Sequence, residues 1–132
     1  MKYAVALSIA LLLTVYPAAA GELKLTADIP FAFQVAGQSL PPGEYELIEL
    51  HPNAFYIREL GTHRSVAFLV NKGSHPSYDD VKLVFRVYDG EAFLAEAMAH
   101  GTVARVYKSK AEKTLIARQA AARTNTVLAR SR

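Results

Sequence analysis

Val81-Lys82-Leu83-Val84-Phe85-Arg86-Val87-Tyr88, followed by Asp89-Gly90 and the run from Ala92 to Ala99, decides the fold class of this chain. Val81, Leu83, Phe85 and Val87 alternate with Lys82, Val84, Arg86 and Tyr88. A period of two sends successive side chains to opposite faces of a strand, one of them toward a core. Asp and Gly both tolerate the positive φ of a type I′ turn, so Asp89-Gly90 predicts a tight hairpin, and Ala92 to Ala99 its returning strand.

The same pattern recurs toward the N-terminus. Ser65 to Val70, Phe55 to Leu60 and Tyr45 to Leu50 predict strands, with turns at Gly61-Thr62-His63-Arg64 and His51-Pro52-Asn53. From Leu23 to Val35 the odd positions are apolar and most even ones are polar. Pro30 interrupts that run and cannot donate to a ladder, which predicts an edge position or a bend between two shorter strands. Asn71 to Asp80 reads as a longer loop. Turn signals at a spacing near ten residues predict a mainly β fold. The expected form is an antiparallel meander of about 6–8 strands, curled into a sandwich or partly closed barrel.

The pattern changes at Ser109-Lys110-Ala111-Glu112. Ser with Glu three residues on is a capping box, in which the hydroxyl takes the Glu112 amide and the carboxylate reaches back to the Ser109 amide. Strong helix formers follow, so a helix is predicted over about 109–123, with Thr124 to Arg132 frayed. Ala111, Leu115, Ile116 and Ala122 give it a thin apolar stripe, suited to the sheet or to a partner.

The first twenty residues read as a cleavable signal peptide. Lys2 is the only charge before Glu22, Ala4 to Val15 is almost wholly apolar, and Tyr16-Pro17 breaks the helix. Ala18 and Ala20 supply the small side chains of a cleavage site before Gly21. A membrane anchor needs about 20 apolar residues, and this run stops at roughly 13. The expectation is an exported protein, periplasmic or secreted, whose mature chain does not span the membrane. About 112 residues remain after position 20, enough for one domain core. Without any cysteine, that domain relies on packing and hydrogen bonds, with no disulfide, lipid attachment or thiolate chemistry.

The formal charge of +3 conceals an asymmetry. Residues 21–104 carry six Lys or Arg against eleven acids, whereas 105–132 carry eight against Glu112 alone. The division is therefore a β domain over 21–104 and a basic C-terminal segment over 105–132. Either the segment folds back on the acidic body or it meets an anionic surface or protein partner. Arg105, Lys108, Lys110, Lys113, Arg118 and Arg123 form the candidate contact surface.

Pro30-Phe31-Ala32-Phe33-Gln34-Val35, Gly37 and Leu40-Pro41-Pro42-Gly43-Glu44-Tyr45 carry a resemblance, together with Lys82-Leu83-Val84-Phe85, Tyr88 and Phe93-Leu94. They resemble an uncharacterised family of small exported bacterial β-rich proteins with a PFxFxVxGxxLPxGxY segment. The resemblance implies an exported β-rich domain and brings no activity or site residues. Read physically, Phe31, Phe33 and Val35 fill a core, Gly37 and Gly43 permit turns, and Tyr45 packs under the proline-rich loop.

Little in the chain points to catalysis. There is no Gly-x-Ser-x-Gly elbow, and phosphate-binding glycine patterns are absent. Glu44 and Glu46 share a strand face, read as solvated. In an alternating meander the turns at 51–53, 71–80 and 100–101 share one end, which would gather His51, His75 and His100 with Asp79 and Asp80 as weak zinc candidates. No cofactor is expected. Tyr107 is the only aromatic of the basic segment, so nucleic acid is not an expected partner. The reading is an exported, non-enzymatic structural or binding module. The alternative is a small β-barrel for an apolar ligand or a metal, and a hydrolase ranks third.

Overall fold

The computed structural model describes residues 23–74, 81–118 and 121–131. Its strands in chain order are β1 (Lys24–Ile29), β2 (Phe33–Val35), β3 (Gln38–Leu40), β4 (Gly43–His51), β5 (Ala54–Glu59), β6 (Ser65–Ser74), β7 (Lys82–Tyr88), β8 (Glu91–Ala99) and β9 (Thr102–Val106). The helix α1 (Lys110–Ala117) follows, then β10 (Ala122–Leu128) and β11 (Arg130–Ser131). The fold is mainly β, as the alternation predicts.

Three tight turns share one chemistry. Ala36-Gly37, Asp89-Gly90 and His100-Gly101 each link neighbouring strands with positive φ at both residues. That is the type I′ pattern, whose twist matches the strands it joins. Pro30 falls in the bend between β1 and β2, the second of the two roles its chemistry allows.

The strand order is β10-β7-β8-β9-β6-β5-β4-β1-β11, with β2 beside both β3 and β8. The antiparallel meander expected from the sequence is present in two parts. β4-β5-β6 and β7-β8-β9 are each meanders, but they join through β6 and β9. β6 also runs on to Ser74, four residues beyond the expected Val70, because residues 70–74 pair with 106–102 of β9. The pairing does not close on itself. β10 and β11 are consecutive in the chain, separated by Ala129, so one C-terminal segment pairs with β7 at one edge and β1 at the other. The result is a sandwich-like, partly closed sheet.

The inward faces meet in one core that includes Leu25, Ile29, Phe33, Leu47, Phe55, Ile57, Leu83, Phe85 and Leu94. Phe85 meets Phe31 edge-on at 4.9 Å and Phe33 at 5.4 Å. Aromatic rings prefer this arrangement because a positive edge faces a negative ring face.

The C-terminal expectation needs the larger correction. The helix ends at Ala117 rather than near Arg123, and residues 122–128 and 130–131 are strands rather than a frayed end. Thr124, Thr126 and Val127 are β-branched and fit a pleated ladder better than a helix. Their backbone finds that ladder on β7, where Thr124 pairs with Arg86 and Val127 with Leu83. The boundary at 104/105 thus marks a change of charge, while the segment beyond it belongs to the same sheet.

Candidate functional site

Buried charge organises the molecule. Among the described residues, Glu46, Glu49 and Glu112 are carboxylates shielded from water. Leaving such a group unpaired costs several kcal/mol, and each has a cation against it.

Glu46 stands opposite Thr26 of β1 and Arg58 of β5. Arg58 Nη2 lies 2.7 Å from Oε2 and Lys24 Nζ 3.1 Å from Oε1. Burial alone would raise this carboxyl, but the hydrogen bonds and charges of Arg58 and Lys24 outweigh it and hold its pKa below the ordinary range. Glu46 is therefore not part of a solvated face with Glu44, as its spacing suggested; Glu44 is exposed and Glu46 is 0 % exposed. Glu49 accepts from the Leu23 amide at 2.9 Å and from Lys72.

Glu112 is the informative case. The Ser109 hydroxyl accepts the Glu112 amide at 3.2 Å, capping α1 as predicted. The carboxylate, expected to reach back to the Ser109 amide, is instead held at Oε2 by Arg86 Nε at 2.8 Å and the Tyr88 hydroxyl at 2.9 Å. A guanidinium bond is charge-assisted and stronger than one to a neutral amide. Burial, with the bond to Glu112 and its negative charge, pushes the Tyr88 hydroxyl pKa up. Glu112 is the one residue of α1 that is buried, while Ile116 of the expected apolar stripe is exposed. A carboxylate, rather than a greasy stripe, fastens the helix to β7.

The six candidate contact cations are placed in the opposite way. Arg105, Lys108, Lys110, Lys113, Arg118 and Arg123 are all exposed. Arg105 Nε lies 3.7 Å from Glu96 Oε1. The buried acids of the body have their closest ion pairs with its own cations, Glu46 with Lys24 and Arg58 and Glu49 with Lys72, while Arg86 of the body pairs with Glu112. Thus the one acid of the basic segment is turned inward, and these six cations are turned out.

Two of them, Lys108 and Lys110, line a groove of about 440 Å³. β9 ends at Val106, and the chain leaves β6 there toward α1. The β2–β3 turn at Ala36-Gly37, residues 67–69 of β6 and residues 106–110 line the groove. Its lysines stand out in the sequence by charge, whereas its walls come from strands distant along the chain.

Tyr45 packs under the proline-rich loop as expected, its hydroxyl donating to the Pro41 carbonyl. Burial, with the nearby Glu59 charge, pushes its pKa up to about 12.

For the zinc candidates, strand register places the turn at 100–101 beside Ser74 and Lys82, whereas the turn at 52–53 lies level with Val70, four residues back along β6. His51 and His100 are exposed at these separate turns, and His100 Nε2 sits 3.2 Å from Ser131 Oγ. His75, Asp79 and Asp80 lie outside the described residues, as do Ala18, Ala20 and Gly21 of the expected cleavage site. Among the described residues no three His, Asp or Glu are grouped to hold a metal. Among them, too, no helix is long and apolar enough to cross a membrane. Compared with protein-family models, curated proteins and solved structures, the chain matches none.

Proposed function

We propose that this chain is an exported, non-enzymatic binding module in which the β body is the scaffold and the basic C-terminal segment contacts an anionic partner. One observation carries the reading. Glu112 is sunk against Arg86 and Tyr88, while Arg105, Lys108, Lys110, Lys113, Arg118 and Arg123 all face solvent. A segment that folded back only to neutralise an acidic body would turn its cations inward. This one docks through its acid; Arg105 and Arg130 come within 3.7 Å of Glu96 and 3.9 Å of Glu44, and Lys108, Lys110, Lys113, Arg118 and Arg123 leave their positive field outside, where it raises the local concentration of anions. The leader-like first twenty residues and the resemblance to small exported proteins support export.

Retention on immobilised dextran sulfate tests the reading. The intact chain should bind and elute with salt, since exposed charges are screened within about 3 Å at 1 M ionic strength. Lys113→Gln, Arg118→Gln and Arg123→Gln together should lower the eluting salt concentration. Unchanged elution overturns the proposal. Deletion after Ala104 is a poorer test, because it also removes the strand that pairs with β7.

A further inference from the structure

Leu69 and Tyr107 face each other across the junction of β6 and β9, where the Tyr107 amide donates to the Leu69 carbonyl at 3.3 Å. Both side chains stand on the outer face, 60 % and 62 % exposed. Ala54 and Ala67 continue this face, Ala54 directly opposite Leu69. Leu69, Tyr107 and Ala67 line the groove of about 440 Å³, as do Lys108 and Lys110. Neither lysine makes an ion pair among the described residues, and none of the groove's lining residues is acidic.

We propose that this face docks onto a bilayer of anionic phospholipid, with Leu69 and Tyr107 entering the headgroup layer and Lys108 and Lys110 meeting lipid phosphates. The inference rests on the reading of the basic segment as a contact element, and it names the partner. Three features select a surface over other occupants. Side chains this exposed project from the sheet and cannot enclose a free acyl chain, as a carrier's pocket does. A tyrosine beside a leucine gives the amphipathic contact that suits the membrane interface, and lysines extend past it to the phosphates. A second copy packed by the same patch would bring four lysines into one interface whose groove lining offers no acid to pair them.

The chain has no tryptophan, so Tyr107→Trp installs a single reporter at the proposed contact. Vesicles of mixed phosphatidylglycerol and phosphatidylcholine should shift its emission to the blue, brominated acyl chains should quench it, and phosphatidylcholine alone should do neither. In that background Lys108→Gln and Lys110→Gln should each weaken binding about fivefold, and Leu69→Asp about tenfold. Asn125→Trp, on β10 and exposed, should leave its indole in water. No shift at position 107 overturns the proposal, as do equal shifts at 107 and 125, which adsorption through the apolar leader would give. A shift with monomeric laurate and none with vesicles also overturns it, assigning the groove to a free acyl anion. Retention on dextran sulfate without any vesicle shift removes this inference alone; loss of both removes the reading beneath it.

Discussion

Replacing Glu112 by glutamine keeps the volume of the side chain, its helix propensity and the amide that Ser109 caps, and removes only the charge. In the native chain that charge accepts from Arg86 at 2.8 Å and Tyr88 at 2.9 Å, at a position 2 % exposed. Breaking a buried pair by removing one partner costs about 3–5 kcal/mol, most of it from the charge left behind. The Arg86 side chain is 26 % exposed, so water recovers part of that loss, and we expect about 2–3 kcal/mol. Against a total stability of about 5–15 kcal/mol the change is large, and it should lower the thermal midpoint by about 10 °C. Urea unfolding followed by far-ultraviolet circular dichroism measures it. Arg86→Met added to Glu112→Gln should recover part of the loss, since the double variant buries no lone charge. A cost below about 0.5 kcal/mol, the scale of an exposed pair, would refute the view that Glu112 fastens the basic segment.

Other consequences are equally open to measurement. Tyr45 ionises near pH 10 when unfolded and at about 12 when folded. Its contribution is therefore complete below pH 10 and fades as pH rises toward 12, by about 2–3 kcal/mol. Tyr45→Phe should lose about 1 kcal/mol at neutral pH with the Pro41 bond and show a shallower alkaline decline in urea midpoint. Phe85→Ala removes a ring that is 0 % exposed and should cost about 3–5 kcal/mol in the same assay. Gly90 has φ +82 and open space where a Cβ would stand, so Gly90→Ala should cost about 1–2 kcal/mol through its backbone alone.

What could be read ahead of the structure was local. Asp89-Gly90, the alternation through Phe85 and the Ser109 cap each depend on neighbours within a few residues, and each stands where expected. What escaped reading depends on register between distant strands. Glu46 appears solvated until β5 brings Arg58 opposite it and β1 brings Lys24 near. Glu112 satisfies the spacing of a capping box, but its carboxylate partners lie 26 and 24 residues away. Residues 118–123 carry helix-forming side chains, so local propensity favoured a longer helix. The unpaired edge of β7 and the β-branched residues from Thr124 onward turned the following segment into a strand. The groove shows the same limit. Lys108 and Lys110 stood out by charge, whereas Leu69 gained significance only when β6 met the end of β9.

Equilibrium binding of the intact chain to an anionic surface, measured with and without the outward cations, tests the working surface most directly. Lys113→Gln, Arg118→Gln and Arg123→Gln, made together at exposed positions, should leave the unfolding midpoint almost unchanged. They should weaken binding to immobilised dextran sulfate by about tenfold at low salt, with the difference shrinking as salt rises. Equal binding by the two proteins at low salt would contradict the claim that the basic segment is the working surface.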